Sequence, residues 1–256
     1  MPAPIPRDIP DLPAIPSPPA LKPSPVPATA VVAPVRRPAV AAFRLLIAVA
    51  AAAGVTLELL LGDPTRALSH FVIQSNLLLA LVMGLSARRT WTAGRPLPAA
   101  VLGATLLYVV IAALVHHLFL ASEASPYSLT GEAATPTGWQ ALSHGVLYTV
   151  TPIAAALDWL LLTPPGRLRL RQTGAWLLYP LVYLAFCLIR GELLLPGTPG
   201  RYLYPFLDVG QDGFKRVLGN ALLLGLSFSA LAVLLVGLDH VRPNPIRHRG
   251  KTGFRL

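Results

Sequence analysis

The chain has 256 residues, of which 54% are hydrophobic and only 12% are charged, with a mean hydropathy of +0.60 and a net charge of +10. This composition excludes an ordinary soluble globular domain and indicates the lipid bilayer as the solvent of the fold. Nucleic acid is not expected as a partner, because the Lys and Arg residues flank apolar stretches and lie at the termini, where they set topology and contact anionic membrane lipids.

The first 40 residues hold nearly half of the 27 prolines and show neither a helical nor a strand period. Such a segment cannot bury enough apolar surface to fold by itself. We therefore predict a disordered, proline-rich cytoplasmic tail over residues 1–40. A proline-reading binding partner for this tail is the alternative, and the identity of any protein partner stays open.

Six apolar stretches follow, each close to the roughly 20 residues that a membrane-spanning helix needs. The pattern predicts an all-α fold, a six-helix polytopic transmembrane bundle over residues 41–240, with a basic tail over 241–256. The expected spans lie near 43–61, 68–86, 97–120, 140–162, 175–194 and 215–239.

Arginine is concentrated in every second gap between these stretches. The arginines in question are Arg88, Arg89, Arg95, Arg167, Arg169 and Arg171. The gap over 121–139 contains Glu123 and Glu132 but no Lys or Arg. Because Lys and Arg are retained in cytoplasmic loops, we predict a multi-pass protein of the inner (plasma) membrane with both termini in the cytoplasm.

Two prolines fall inside expected spans, Pro152 in the fourth and Pro180 in the fifth. Proline has no N–H and clashes with the carbonyl group four residues earlier. The carbonyl groups of Tyr148 and Trp176 should therefore lack their helical partners, and both helices should kink there.

Polar side chains inside membrane helices are costly and commonly mark functional sites. With the topology above, five helices place such groups in one layer towards the outer face. We expect an outer-leaflet pocket for a lipid or another amphiphile, although each residue alone could simply be interfacial. The pocket candidates are Glu58, His70, Gln74, Asn76, His116, His117, Tyr148, Arg190 and Glu192, with His144 on the same face as Tyr148.

No two histidines have the spacing of a known ligand motif, so we expect no metal and no cofactor. A haem held by two histidines is one alternative, and a small transporter is another, although no internal repeat supports transport. Asp158 is expected to form a structural ion pair with Arg167 or Arg169, with a proton relay as the alternative. The single cysteine, Cys187, excludes a disulfide within the chain.

Four segments together suggest a family: FVIQSNLLLALV (71–82), TPIAAALDWLLL (151–162), YPLVYLAFCLIRG (179–191) and YPFLDV (204–209). With them the chain resembles the bacterial Pr-six-Pr six-helix membrane proteins over residues 43–240. That family is distantly similar to the animal androgen-induced and androgen-dependent transmembrane proteins. The activity of those relatives, which the resemblance implies, is the intramembrane hydrolysis of fatty acid esters of hydroxy fatty acids. It uses a nucleophilic threonine and a histidine.

The chain departs from the family pattern at both catalytic positions. Val72 stands where the pattern has threonine, and Tyr148 stands where bacterial relatives have histidine. A lipid ester hydrolase built on this chain would need Ser75 or Ser69 as the substitute hydroxyl and His144 as the base. We therefore expect a non-catalytic amphiphile-binding membrane protein, with such a rearranged hydrolase as the alternative.

Overall fold

The computed structural model describes residues 36–120, 138–198 and 200–243. These residues contain no strand and form six long helices and one short one. The helices are α1 (Pro38–Leu61), α2 (Pro64–Ser69), α3 (Phe71–Trp91), α4 (Ala99–Leu120), α5 (Trp139–Leu162), α6 (Leu170–Leu193) and α7 (Val209–Val241). All but α2 are long and apolar enough to cross a membrane. The predicted all-α, six-helix transmembrane fold is confirmed, and it indicates a multi-pass membrane protein.

Several expected boundaries shift for identifiable reasons. The first span begins at Pro38, because proline suits the first turn of a helix. The last span begins at Val209, where the Asp208 carboxylate accepts hydrogen bonds from the amides of Gly210 and Gln211. The predicted disorder of residues 1–35, the acidic gap over 121–137 and most of the basic tail, from residue 244, lie outside the described residues.

Small residues allow α1 to pack closely against α3 and α5. The position that a Cβ of Gly84 would occupy lies 3.9 Å from the Cβ of Ala48. At Gly54 a Cβ would lie only 2.9 Å from the Leu147 side chain, so a larger residue would displace that side chain where α1 contacts α5. Close helix approach of this kind supplies van der Waals packing where lipid removes the hydrophobic driving force. By contrast, only 17% of the most apolar stretch of α6 and 11% of that of α7 is buried within the bundle.

The bundle has two chemically different ends. We call the end where α1 stops and α5 begins the histidine end, and the opposite one the arginine end. At the arginine end, Arg44 of α1 donates to Asp158 of α5 over 2.8 Å, and both side chains are buried. Arg44 also donates to hydroxyl groups on α3, including that of Thr90 at 3.0 Å. The ion pair of Asp158 thus exists, but the expected partners Arg167 and Arg169 were wrong, since their side chains lie on an exposed loop.

A second buried ion pair closes the same end. Arg242 donates to Asp239 over 2.7 Å and to the carbonyl group of Leu160 over 3.1 Å, and its guanidinium lies 4.4 Å from the centre of the Trp159 ring. Asp239 also accepts from the backbone amide of Arg167 at 2.8 Å. These contacts attach the connection between α5 and α6 to the end of α7.

Before Pro152, the α-helical geometry of α5 gives way to a π-helical turn over Val146–Val150. The carbonyl group of Tyr148, which Pro152 deprives of its helical donor, lies 3.3 Å from Nε2 of His117 on α4. The neighbouring carbonyl group of Leu147 accepts from the Asn76 side chain, also at 3.3 Å. Side chains from other helices therefore satisfy the backbone acceptors that the proline frees.

The second intramembrane proline follows the same principle. Pro180 lies inside α6 and leaves the carbonyl group of Trp176 without a helical donor. The hydroxyl of Tyr108 on α4 donates to that oxygen over 2.9 Å. Both predicted free carbonyl groups thus find donors, and both donors belong to α4.

The arginine pattern predicts which loops face the cytoplasm, and cysteine labelling tests it. In intact cells, a membrane-impermeant maleimide should label Pro196→Cys at the histidine end but not Thr92→Cys at the arginine end. Both positions are exposed, and the native Cys187 is buried and can be replaced by serine as a background control. Labelling of Thr92→Cys alone would invert the predicted topology.

Candidate functional site

Five of the predicted residues meet at the histidine end, and we call them the histidine cluster: Glu58, His116, His117, His144 and Tyr148. The rings of His116 and Tyr148 stack with centroids 3.9 Å apart and an interplanar angle of 18°. The His144 ring lies 5.6 Å from Tyr148 and 6.3 Å from His116. The cluster therefore joins α1, α4 and α5 around one tyrosine.

Two π-helical turns position the stacked rings. His116 and His117 begin the turn His116–Leu120 at the end of α4, and Tyr148 lies in the turn Val146–Val150 of α5. Such turns are rare and occur frequently at functional sites. Here they bring the His116 ring against Tyr148 and His117 against the freed carbonyl group of Tyr148.

Glu58 anchors the cluster on α1 and is only 1% exposed. The hydroxyl of Ser143 donates a short hydrogen bond to its carboxylate, a contact that the sequence did not reveal. Nε2 of His144 lies 3.6 Å from the same carboxylate oxygen, beyond hydrogen-bonding distance. Within the described residues that nitrogen has no hydrogen-bond partner.

Beside the cluster, buried tyrosines meet the start of α3. The Tyr204 hydroxyl accepts from the backbone amide of Phe71 over 3.3 Å. The Tyr183 hydroxyl donates to the carbonyl group of Ser69 over 2.8 Å and lies 3.5 Å from the Tyr204 oxygen. The two tyrosines were not among the predicted site residues, although both lie in the family-like segments.

His70 is buried between α2 and α3, with its ring edge-on to Tyr204 at 6.0 Å. Desolvation, and then the charges of Arg66 and Arg190, lower the pKa of His70 to about 3. His70 is therefore neutral at physiological pH. Its Nε2 has no hydrogen-bond partner in the part of the chain that the structure describes.

The remaining pocket candidates on α3 have structural partners of their own. Gln74 accepts from the Tyr179 hydroxyl over 2.7 Å and donates to the carbonyl group of Leu68 over 2.9 Å. Asn76 accepts from the Thr151 hydroxyl over 2.6 Å. These bonds tie α3 to α6 and α5, and no contact joins Gln74 or Asn76 to the rings of the histidine cluster among the described residues.

The serine hydroxyls proposed as nucleophiles are bonded within their own segments. Ser75 donates to the carbonyl group of Val72 over 3.1 Å, and Ser69 donates to that of Thr65 over 2.7 Å. This back-bonding is common for hydroxyls inside helices. Across the described ranges, neither serine hydrogen-bonds to His144, so the structure does not bring the rearranged pair together.

A different hydroxyl and imidazole do lie close together. Nε2 of His117 is 3.1 Å from the Thr149 hydroxyl oxygen and 3.3 Å from the carbonyl oxygen of Tyr148. The tautomer of His117 decides whether Nε2 donates to the Tyr148 carbonyl oxygen or accepts from the Thr149 hydroxyl.

An apolar cavity of about 570 Å³ adjoins the cluster between α4, α6 and α7. Its walls include side chains that are exposed on the bundle surface, among them Leu181 of α6 and Leu222 of α7. The cavity therefore opens sideways, towards the bilayer. The hydroxyl groups on its walls belong to Tyr148, Tyr183, Tyr204 and Ser229.

Tyr148 connects the histidine cluster to this cavity. The residue is only 8% exposed, its hydroxyl makes no hydrogen bond within the described residues, and its oxygen is not among the fully buried side-chain atoms that lack a partner. The hydroxyl is therefore accessible from the cavity that Tyr148 lines. An unpartnered hydroxyl on a cavity wall is a donor for a bound molecule.

No group of three or more His, Cys, Asp or Glu side chains within residues 36–120, 138–198 and 200–243 is arranged to hold a metal ion. Comparison of the chain with protein-family models, with curated proteins and with solved structures gave no match. The function must therefore be argued from the cavity and the side chains around it.

Proposed function

We propose that this integral membrane protein binds an amphiphile, with its alkyl chain in the lateral cavity and its polar head at Tyr148. The observation that carries the proposal is the Tyr148 hydroxyl, which lies on the wall of a mostly apolar cavity and makes no hydrogen bond to any described residue. The cavity volume of about 570 Å³ lies within the range of roughly 300–1,000 Å³ that is usual for small-molecule sites.

The position of the cavity favours a ligand that arrives from the bilayer. One wall of the cavity is formed by α7. Only 11% of the most apolar stretch of this helix is buried within the bundle, which leaves most of it available to lipid. An alkyl chain can therefore enter between α6 and α7. Because lipid tails and the cavity walls are equally apolar, the alkyl chain contributes little selectivity, and selectivity must come from the head group.

The resemblance to the Pr-six-Pr proteins supports the same assignment, since their animal relatives act on lipids. We do not extend the hydrolysis to this chain. Val72 carries no nucleophile, and the hydroxyls of Ser69 and Ser75 are bonded to their own backbone segments.

A matched pair of glycine substitutions tests the proposal. Gly225 lines the cavity, Gly237 lies further along the same helix outside it, and a Cβ at either position meets no atom within 4 Å. Gly225→Phe should fill the cavity and reduce labelling of residues 174–184 by a photoactivatable hexadecanol about tenfold, which corresponds to about 1.4 kcal/mol of binding energy. Gly237→Phe should leave the labelling unchanged.

The labelling is measured by mass spectrometry on protein in lipid nanodiscs, with thermal unfolding as the check that both variants fold. Tyr148→Phe should reduce the same labelling about fivefold, the equivalent of about 1 kcal/mol for one hydrogen bond. Equal labelling of wild type and Gly225→Phe would refute amphiphile binding in this cavity.

A further inference from the structure

Three carboxyl groups of the described residues are buried inside the bundle, and those of Glu58, Asp158 and Asp239 are each only 1% exposed. Asp158 and Asp239 each face a guanidinium group, at 2.8 and 2.7 Å. Among the described residues no arginine pairs with Glu58, and the nearest basic group is the His144 imidazole, with Nε2 at 3.6 Å. Arginine stays charged in proteins, whereas histidine takes up and releases protons near neutral pH. Of the three buried carboxyl groups, Glu58 thus has the partner that can exchange a proton.

The immediate surroundings of Glu58 suit an uncharged carboxyl group. A buried carboxylate without a cation is costly, and the hydroxyl of Ser143, which contacts Glu58, is neutral. Charged N–H groups approach carboxylates to about 2.7–2.9 Å, but Nε2 of His144 stays 3.6 Å away. This separation is that of an acid and an imidazole that are both neutral.

The other titratable groups near this end of α1 do not balance a charge on Glu58. His70 is neutral. The Asp63 carboxylate accepts from the amide of Thr65, and the guanidinium of Arg66 lies against the backbone at Gly200. The titratable groups on the segments that pack against this end of α1 are His144 and Tyr148 on α5, His70 before α3, and Asp63 and Arg66 at α2.

A series of imidazoles leads from Glu58 to the surface of the histidine end. The ring centroids of His144 and His116 lie 6.3 Å apart, and those of His116 and His117 lie 5.1 Å apart. Exposure increases along the series, because His144 and His116 are partly buried and His117 is exposed. Nε2 of His144 has no hydrogen-bond partner within the described ranges, so it is free to exchange a proton with Glu58. Chains of acidic and imidazole groups carry protons in membrane proteins.

We propose that Glu58 and His144 form a proton-transfer site, which binds one proton and exchanges it with water at the histidine end through His116 and His117. In the transfer step, the O–H bond of the Glu58 carboxyl group breaks and an N–H bond forms at an unprotonated Nε2 of His144. A carboxylate and an imidazolium result, the net charge of the pair stays zero, and no other reactant is needed. The site goes beyond the binding of an amphiphile, since none of these four residues lines the cavity.

Infrared spectroscopy of the full chain in an ester-free detergent tests the site. At neutral pH the wild type should show the C=O stretching band of a protonated carboxyl group, because Asp158 and Asp239 are paired with arginine and exposed acids are ionised. Incorporation of isotopically labelled glutamate should shift this band, which assigns it to glutamate without any variant. Glu58→Gln should remove the band, since the amide keeps the size of the side chain but has no carboxyl proton. Glu192→Gln is the matched control and should keep the band, because Glu192 is exposed and lies 3.7 Å from Arg201.

The path is tested by the rate at which the band shifts after transfer to heavy water. His144→Phe and His117→Phe should each slow this exchange on the order of a hundredfold, because each removes an imidazole that accepts the proton. His240→Phe is the control and should leave the rate unchanged, since His240 lies at the arginine end and contacts the carbonyl group of Val236 on its own helix. His117 is exposed, so its variant keeps the test valid if His144→Phe does not fold.

Two results would overturn the proposal. A wild-type spectrum without a glutamate-dependent carboxyl band would exclude the protonated Glu58. Exchange at the wild-type rate in His117→Phe would exclude the path through the imidazoles. Neither result bears on hexadecanol labelling of the cavity, so this proposal and the proposed function fail separately.

Discussion

Asp158→Ala is expected to lower the free energy of unfolding by about 3–5 kcal/mol, because it leaves the buried Arg44 guanidinium without its carboxylate. The Ser86 and Thr90 hydroxyls that also bind Arg44 are neutral and cannot balance its charge. The loss is measured by equilibrium unfolding of wild type and variant in bicelles.

Two comparisons show whether this loss comes from an unpaired charge. The double replacement of Arg44 by Met and Asp158 by Leu removes both charges, and it should recover most of the stability that Asp158→Ala loses. Asp212→Ala breaks an exposed ion pair with Arg216 and should cost less than about 1 kcal/mol. A double variant as unstable as Asp158→Ala would contradict the explanation.

Arg242→Ala is expected to cost about 3 kcal/mol. It removes the partner of the buried Asp239, the cation above the Trp159 ring and the donor to the carbonyl group of Leu160. Because these contacts attach the α5–α6 connection to α7, hydrogen exchange of the amides at 166–168 should also accelerate. Stability is measured as for Asp158→Ala.

The control for this variant is Arg169→Ala in the same connection, where the side chain is exposed. A surface substitution of this kind should change stability by no more than about 0.5 kcal/mol. If both variants were equally stable, or if the amides at 166–168 kept their protection in Arg242→Ala, the attachment of the connection through Arg242 would be wrong.

The spans were predictable because helix length and apolar composition are local properties. The roles of individual arginines were not predictable from these local properties. Arg242 was read as a topology signal in a basic tail, whereas its side chain is buried against Asp239 and Trp159. The partner of Asp158 came from α1, since ion pairing depends on which helices pack together and not on distance along the chain.

The candidate site was likewise predictable only in part. The topology placed His116, His144 and Tyr148 in one layer, and the structure brings their rings into contact. The pairing of His144 with Ser75 did not follow, because a serine inside a helix bonds to its own backbone. Tyr204 went unrecognised because it lies between spans, where hydropathy gives no signal.

The two carbonyl groups freed by Pro152 and Pro180 have a consequence for how the chain enters the membrane. Their donors, His117 and Tyr108, both belong to α4, which leaves the ribosome before α5 and α6. Each proline-bearing helix therefore meets a donor that is already in the bilayer when it arrives. Since an unsatisfied carbonyl group in hydrocarbon costs several kcal/mol, contacts with α4 lower the cost of holding both proline-bearing helices in the bilayer.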